Sequence, residues 1–179
     1  GSLPGMQDRT ISVYSMSKTY AMSGLRVGYL VVTQPLLLDR LKKLVRCTIN
    51  GVNSVAQHGA VAALNGPQDA TLAMAVEYQK RRDILLDALA ESPYIRAFKP
   101  EGAFYVWCRI APDWPGYDGA RDDWSMTNYL IDEAGIGSAP GSAFGAVGAG
   151  HIRFAFSCST TQVEGAAKLL PDVLRQAGK

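Results

Sequence analysis

Residues 67–91 constrain the fold more than any other stretch of the chain. Leu72, Val76, Leu85, Leu86 and Leu89 are placed at helical spacing, while Gln79-Lys80-Arg81-Arg82-Asp83 between them is wholly polar. A helix of that length, apolar towards both ends and wet at its centre, bridges two packed bodies. Asn65-Gly66-Pro67 precedes it, with Pro67 suited to the first helical position, and Ser92-Pro93 stops it. The expected organisation is a first body over residues 1–65, a connecting helix over 66–92 and a second body over 93–179.

The flanking segments are mixed α/β. In the first body, residues 11–14 alternate as a short strand, and the β-branched run 26–33 reads as a second strand after an intervening loop. Leu37, Leu41, Leu44 and Val45 recur at three- and four-residue steps over 35–48, with Asp39, Arg40, Lys42, Lys43 and Arg46 on the other face. The spacing predicts an amphipathic helix. A second helix, of small residues, is expected over about 54–64.

In the second body, 96–99 and 104–110 read as strands around Pro100-Glu101-Gly102. Residues 123–134 read as a helix opened by Asp122 or Asp123 and closed by Gly135. Within 151–157, Ile152, Phe154 and Phe156 alternate with His151, Arg153, Ala155 and Ser157. Strand pleating puts the three large apolar side chains on one face and Arg153 on the other. A capping box at Thr161 and Glu164 opens the last helix, and Pro171 is expected to kink or restart it. Gly141–Gly150 holds four glycines but precedes a strand and lacks GxGxxG spacing, so it reads as a loop.

Composition excludes several classes of protein. Apolar residues make up 47% of the 179 and charged residues 19%, as in ordinary globular proteins, so the chain can bury a core. The net charge is +2, and the basic residues of 42–46 and 80–82 read as solvated helix faces, so no nucleic-acid signature is present. Cys47, Cys108 and Cys158 are odd in number and form no metal-ligand pattern with His58 or His151. They fit a reducing, cytoplasmic setting. No stretch approaches the roughly 20 apolar residues that span a bilayer, so no membrane partner is expected.

Ser15-Met16-Ser17-Lys18, followed by Gly24-Leu25-Arg26-Val27-Gly28-Tyr29, carries the clearest chemistry. Two hydroxyls and a planar guanidinium on a loop are what a phosphate needs. A cation at Arg26 and partial burial would both favour a neutral Lys18, the form that attacks an aldehyde. Each of these residues alone would be equally at home on an ordinary surface. As an ordered set, Ser-x-Ser-Lys, seven residues, then Arg-x-Gly-Tyr resembles the cofactor-lysine signature of the class I/II, aspartate aminotransferase-like family of fold-type I pyridoxal-phosphate (PLP) enzymes. Pro100–Tyr105, Pro140–Gly145 and Ile152–Phe156 are similar to further stretches of that family in the same order, and the resemblance covers nearly the whole chain.

The resemblance implies the C-terminal part of a fold-type I large domain, a long interdomain helix and a small α/β C-terminal domain. It implies pyridoxal 5'-phosphate as cofactor, with Lys18 as its catalytic lysine and Ser15, Arg26 and, more weakly, Ser17 as phosphate ligands. It makes Arg153 the grip on a substrate carboxylate, places the 141–150 loop near the substrate, and brings Phe104 and Tyr105 towards the cofactor or into the core. The implied reaction is ping-pong transfer of an amino group between an amino acid and a 2-oxo acid, in a homodimer whose partner meets the segment Thr48–Ser54. Family members are more than twice this length, and their N-terminal half supplies a Gly-rich phosphate-binding turn, a ring-stacking aromatic and an Asp for the pyridinium nitrogen. The expectation for these 179 residues alone is therefore weak cofactor binding at most. Relatives on the same scaffold act as lyases or as non-catalytic effector domains, but Tyr20-Ala21-Met22-Ser23-Gly24 looks more like the aminotransferase version.

Overall fold

The computed structural model describes residues 1–116 and 122–177. The chain divides into two compact units, Gly1–Ala73 and Met74–Lys179.

In the first unit, β1 (Ser12–Ser15) and β2 (Gly28–Val31) pair antiparallel, from Ser12 opposite Val31 to Ser15 opposite Gly28. β1 keeps the expected length one residue further on, whereas β2 is shorter than the 26–33 run suggested and begins only after Arg26, which takes a left-handed conformation (φ 52°). Gly28 makes the close approach possible: a Cβ there would stand 2.5 Å from the Tyr14 carbonyl oxygen. One turn of helix, α1 (Met16–Thr19), follows β1, and then come α2 (Pro35–Thr48) and α3 (Ser54–Asn65). Pro35 starts α2 with its φ already helical. Asn53 caps α3, its side-chain oxygen accepting from the N–H groups of Val55 (2.8 Å) and Ala56 (3.3 Å). Only Met16, Ala56 and Ala60 are buried apolar residues among those described in this unit. Val13, Leu30, Val31, Leu44, Ile49, Val55 and Val61 are exposed.

The connecting helix is α4 (Asp69–Glu91), and the division between units falls inside it. Pro67 is not its first residue. The Gln68 side chain closes the turn by donating to the Ala63 and Gly66 carbonyls at 2.9 and 2.8 Å, and regular helix begins after it. The centre of α4 is wet only in part, since Gln79 and Lys80 are exposed while Arg81 and Arg82 are not. Arg81 donates to Cys158 O (2.7 Å) and to Thr160 Oγ1 (3.0 Å), and Arg82 donates to Pro100 O (3.1 Å) and the Asp83 carboxylate (2.9 Å). Both arginine side chains are about four-fifths buried. A polar run looks solvated in sequence because the carbonyls it meets are far away along the chain. Leu72 and Val76, by contrast, are exposed.

The second unit holds a four-stranded antiparallel sheet in the order β3-β4-β6-β5, formed by Ile95–Phe98, Tyr105–Ile110, His151–Ala155 and Ala139–Pro140 respectively. Helices α5 (Asp122–Ala134) and α6 (Thr160–Gln176) complete it. One sheet face carries Ile95, Val106, Cys108, Ile110, Ile152 and Phe154, which join Leu85 and Leu89 of α4, Met126 and Leu130 of α5, and Leu170 and Leu174 of α6 in a single core. Gly135, at φ +64°, stops α5 as expected, with its N–H on Ile131 O (2.9 Å) and that of Ile136 on Leu130 O (3.0 Å).

Two details of α6 differ from expectation. Its cap is Ser159, whose hydroxyl accepts from Gln162 N (3.3 Å) while the Gln162 side chain reaches back to Ser159 N (3.1 Å). The capping box therefore sits two residues earlier than Thr161 and Glu164. Pro171 does not restart the helix, since Leu170, Val173 and Leu174 around it are buried. Their packing outweighs the roughly 3 kcal/mol cost of an interior proline.

Burial without a charged partner pushes the Cys108 thiol from 9.0 up to about 12. Cys108 is therefore expected to resist iodoacetamide at pH 8 while the exposed Cys47 and Cys158 react, which peptide mass mapping with and without denaturant checks. Above about pH 9 the unfolded chain loses this proton and the folded chain keeps it. Stability should then fall as pH rises from 9 towards 12, and a Cys108→Ala control should fall less steeply.

Candidate active site

The first cluster lies in the loop that the β1–β2 ribbon closes. Ser15 ends β1 and caps α1, accepting from Ser17 N–H at 3.1 Å. Lys18 sits in the last turn of α1. The return strand is held beside this turn by Met16 N–H donating to Val27 O (3.2 Å), while Met22 N–H donates back to Met16 O (3.4 Å). Met16 itself is buried and is the apolar pin of the loop. Lys18 and Arg26 are thus presented from one closed loop.

The donor set suits a phosphate. Ser15 and Ser17 keep hydroxyl donors, and Arg26 spends one N–H on Ser23 O (2.8 Å), leaving the rest of its fork. Arg26 also lines an open cleft of about 650 Å³ with Gly24, Leu25 and the segment from Ile49 to Ala56. Lys18, Ser15 and Ser17 are not on the wall of that cleft. Lys18 is exposed, so the partial burial expected for it is not met in this chain. The left-handed φ of Arg26 is a conformation that a non-glycine residue adopts at a cost of about 1–2 kcal/mol.

The second cluster lies in the other unit, on the sheet face away from the core. Strand pleating places Tyr105 and Trp107 of β4 and His151 and Arg153 of β6 on that face, with Trp107 opposite Arg153 in register. The Arg153 guanidinium is held between two rings, its Cζ 4.1 Å from the Tyr105 centroid and 4.3 Å from that of Phe144. Two rings this close limit the directions from which a hydrogen-bond acceptor can reach the guanidinium. The Arg153 Nε is buried and has no hydrogen-bond partner among the described residues. An unpaired buried N–H costs about 1–3 kcal/mol, and a carboxylate brought against it removes that cost with a charge-assisted bond.

Sequence reasoning placed Arg153 on the open face but missed what holds it. Phe144 belongs to the 141–150 segment, which is two short 3-10 turns, Gly141–Phe144 and Ala146–Gly148, rather than an unstructured loop. The turns are packed backbone to backbone, since a Cβ on either Gly141 or Gly148 would collide with the carbonyl of the other. Asp123 does not serve simply as a helix opener. It is 1% exposed, and its carboxylate accepts from Ser142 N–H at 2.7 Å. Nothing local marks that pairing, because its two ends are separated by a helix and a strand. Phe104 takes the packing role, half-buried against the core and 5.6 Å from the Tyr78 ring.

Among the described residues no group of His, Cys, Asp and Glu could hold a metal, and no helix is long and apolar enough to cross a membrane.

Comparison with known proteins places the chain in a family. The family model for aminotransferase class I and II matches residues 3–170. The chain is 38% identical to the arginine–pyruvate transaminase of Pseudomonas aeruginosa over 152 residues, covering 85% of this chain and 37% of that protein. It is 32% identical to the LL-diaminopimelate aminotransferase of Desulforudis audaxviator, covering 89% of this chain and 38% of the relative. Among solved structures, the aromatic aminotransferase of Pyrococcus horikoshii superposes with a TM-score of 0.88 at 30% identity, over 99% of this chain and 46% of that one. The chain thus spans less than half the length of these relatives. With its fold-type I architecture matched over almost its whole length, this chain belongs to the class I and II aminotransferase family.

Proposed function

We propose that this chain serves PLP-dependent transfer of an amino group between an amino acid and a 2-oxo acid. The observation that carries the reading is the single closed loop that presents Lys18 together with the phosphate-type donors Ser15, Ser17 and Arg26. Arg153, held against the Tyr105 and Phe144 rings and with its buried Nε lacking an acceptor among the described residues, supports it from the second unit. The names of the relatives, all of them aminotransferases or transaminases, favour transfer over a lyase or effector role.

In this reading Arg26 and the hydroxyls of Ser15 and Ser17 hold the cofactor phosphate by charge-assisted hydrogen bonds. When bound, PLP supplies an electron sink for the charge left on the substrate Cα. The Lys18 amine anchors the aldehyde cofactor and, once displaced, carries the proton away from the substrate Cα. Arg153 grips the α-carboxylate, the one group that amino donor and oxo-acid acceptor share. A cation there orients both half-reactions in the same way.

The setting proposed is the cytoplasm, in keeping with three cysteines that form no disulfide. The assembly proposed is a homodimer meeting along Thr48–Ser54. This segment holds the exposed Ile49 and Asn50 at φ 59°, and the exposed Val55 follows it.

In an enzyme of full family length carrying this sequence, Lys18→Ala should lower kcat roughly 10³-fold or more. It should also abolish the visible absorbance band of lysine-bound cofactor, and transamination that survives the replacement would refute the assignment. Arg153→Gln should raise KM for donor and acceptor together, by about 10- to 100-fold; a rise for one substrate alone would count against a shared carboxylate grip. Sedimentation equilibrium should give a dimer that Ile49→Asp weakens, and a clean monomer would refute the interface.

A further inference from the structure

We infer that Asp123 is a positioning residue for the Arg153 carboxylate site, acting through the 141–144 turn. The inference rests on the reading of Arg153 given above and extends it to a residue that touches neither cofactor nor substrate.

The chain of contacts is short. Asp123 is 1% exposed and accepts from Ser142 N–H at 2.7 Å. The next residue, Trp124, donates its indole N–H to Ser142 Oγ at 3.1 Å. Two consecutive residues of α5 therefore grip one residue of the turn, by its backbone and by its side chain. Two residues further on is Phe144, whose ring lies over the Arg153 guanidinium and meets the Trp107 ring edge-on at 5.8 Å. The same end of the turn is also held by the packing of Gly141, the residue before Ser142, against Gly148.

Phe144 itself is 51% exposed, so burial of its own ring does not hold it in place. The contacts that fix the turn are made by the residues before it. A buried carboxylate accepting a short backbone hydrogen bond is a stiff anchor, because releasing it would leave buried polar groups without partners. Freed from Asp123, the turn can move and take the Phe144 ring away from the guanidinium. Arg153 then regains rotamers and presents its Nε edge to a carboxylate only part of the time.

The test is a titration of the ¹⁵N-labelled 179-residue chain with sodium propanoate, following the Arg153 Nε–H resonance, which Arg153→Lys identifies by its disappearance. Wild type is expected to show a saturable downfield shift of that resonance. Asp123→Ala should weaken the apparent affinity about tenfold, the size expected when a stacked guanidinium loses one of its rings. Asp123→Asn, which keeps an oxygen to accept from Ser142, should restore it to within about twofold. Phe144→Leu removes the ring without touching the buried anchor. It should reproduce the Asp123→Ala loss, and it carries the test alone if Asp123→Ala does not fold.

A propanoate-induced shift that is unchanged in Phe144→Leu, or in folded Asp123→Ala, overturns this inference and leaves the Arg153 reading standing. No shift of the Arg153 resonance in wild type overturns both.

Discussion

The alternation of side chains along β6 is the constraint on which the second unit depends. Because successive residues of a strand point to opposite faces, Ile152 and Phe154 enter the core while Arg153 must face away from it. A slip of one residue would bury the guanidinium and expose both apolar side chains. The large apolar area that Ile152 and Phe154 share with α4, α5 and α6 thus also sets where the cation stands. Packing and chemistry are two readings of the same pleat.

What the strand cannot supply is the exact attitude of the guanidinium. Arginine is long and rotamer-rich, and a sheet face leaves it free to swing. Tyr105 from the neighbouring strand and Phe144 from the 3-10 turn restrict that freedom, each ring lying within 4.3 Å of the Arg153 Cζ. The turn is in turn tied to α5 through Asp123 and Trp124. In the proposed carboxylate site the attitude of the guanidinium would depend on elements that never touch a ligand, the start of α5 and the Gly141–Gly148 pair.

The first unit presents a different balance. Its chemistry is local, since Ser15, Ser17, Lys18 and Arg26 all lie in the loop closed by Ser15 and Gly28. Its core is slight, with Met16, Ala56 and Ala60 as the buried apolar residues and many larger ones exposed. A two-stranded ribbon is marginal without a packed layer on its apolar side chains. The second unit, with its four strands and one contiguous core, carries most of the burial.

Much of this was legible in the chain itself. The spans of α2 and α3, the stop at Gly135, the face of Arg153 and the family all follow from periodicity, punctuation and four ordered motifs, because those signals lie within a few residues of one another. The order Ser15, Ser17, Lys18, Arg26 carried the resemblance from which the proposed chemistry comes, for the same reason. Tertiary structure decided the rest. It anchored Arg81 and Arg82 on distant carbonyls, continued α6 past Pro171 without a restart, moved the cap of that helix to Ser159, and set Asp123 on Ser142. Each of these outcomes turns on partners brought together only when the sheet closes over its helices, and no local pattern records them.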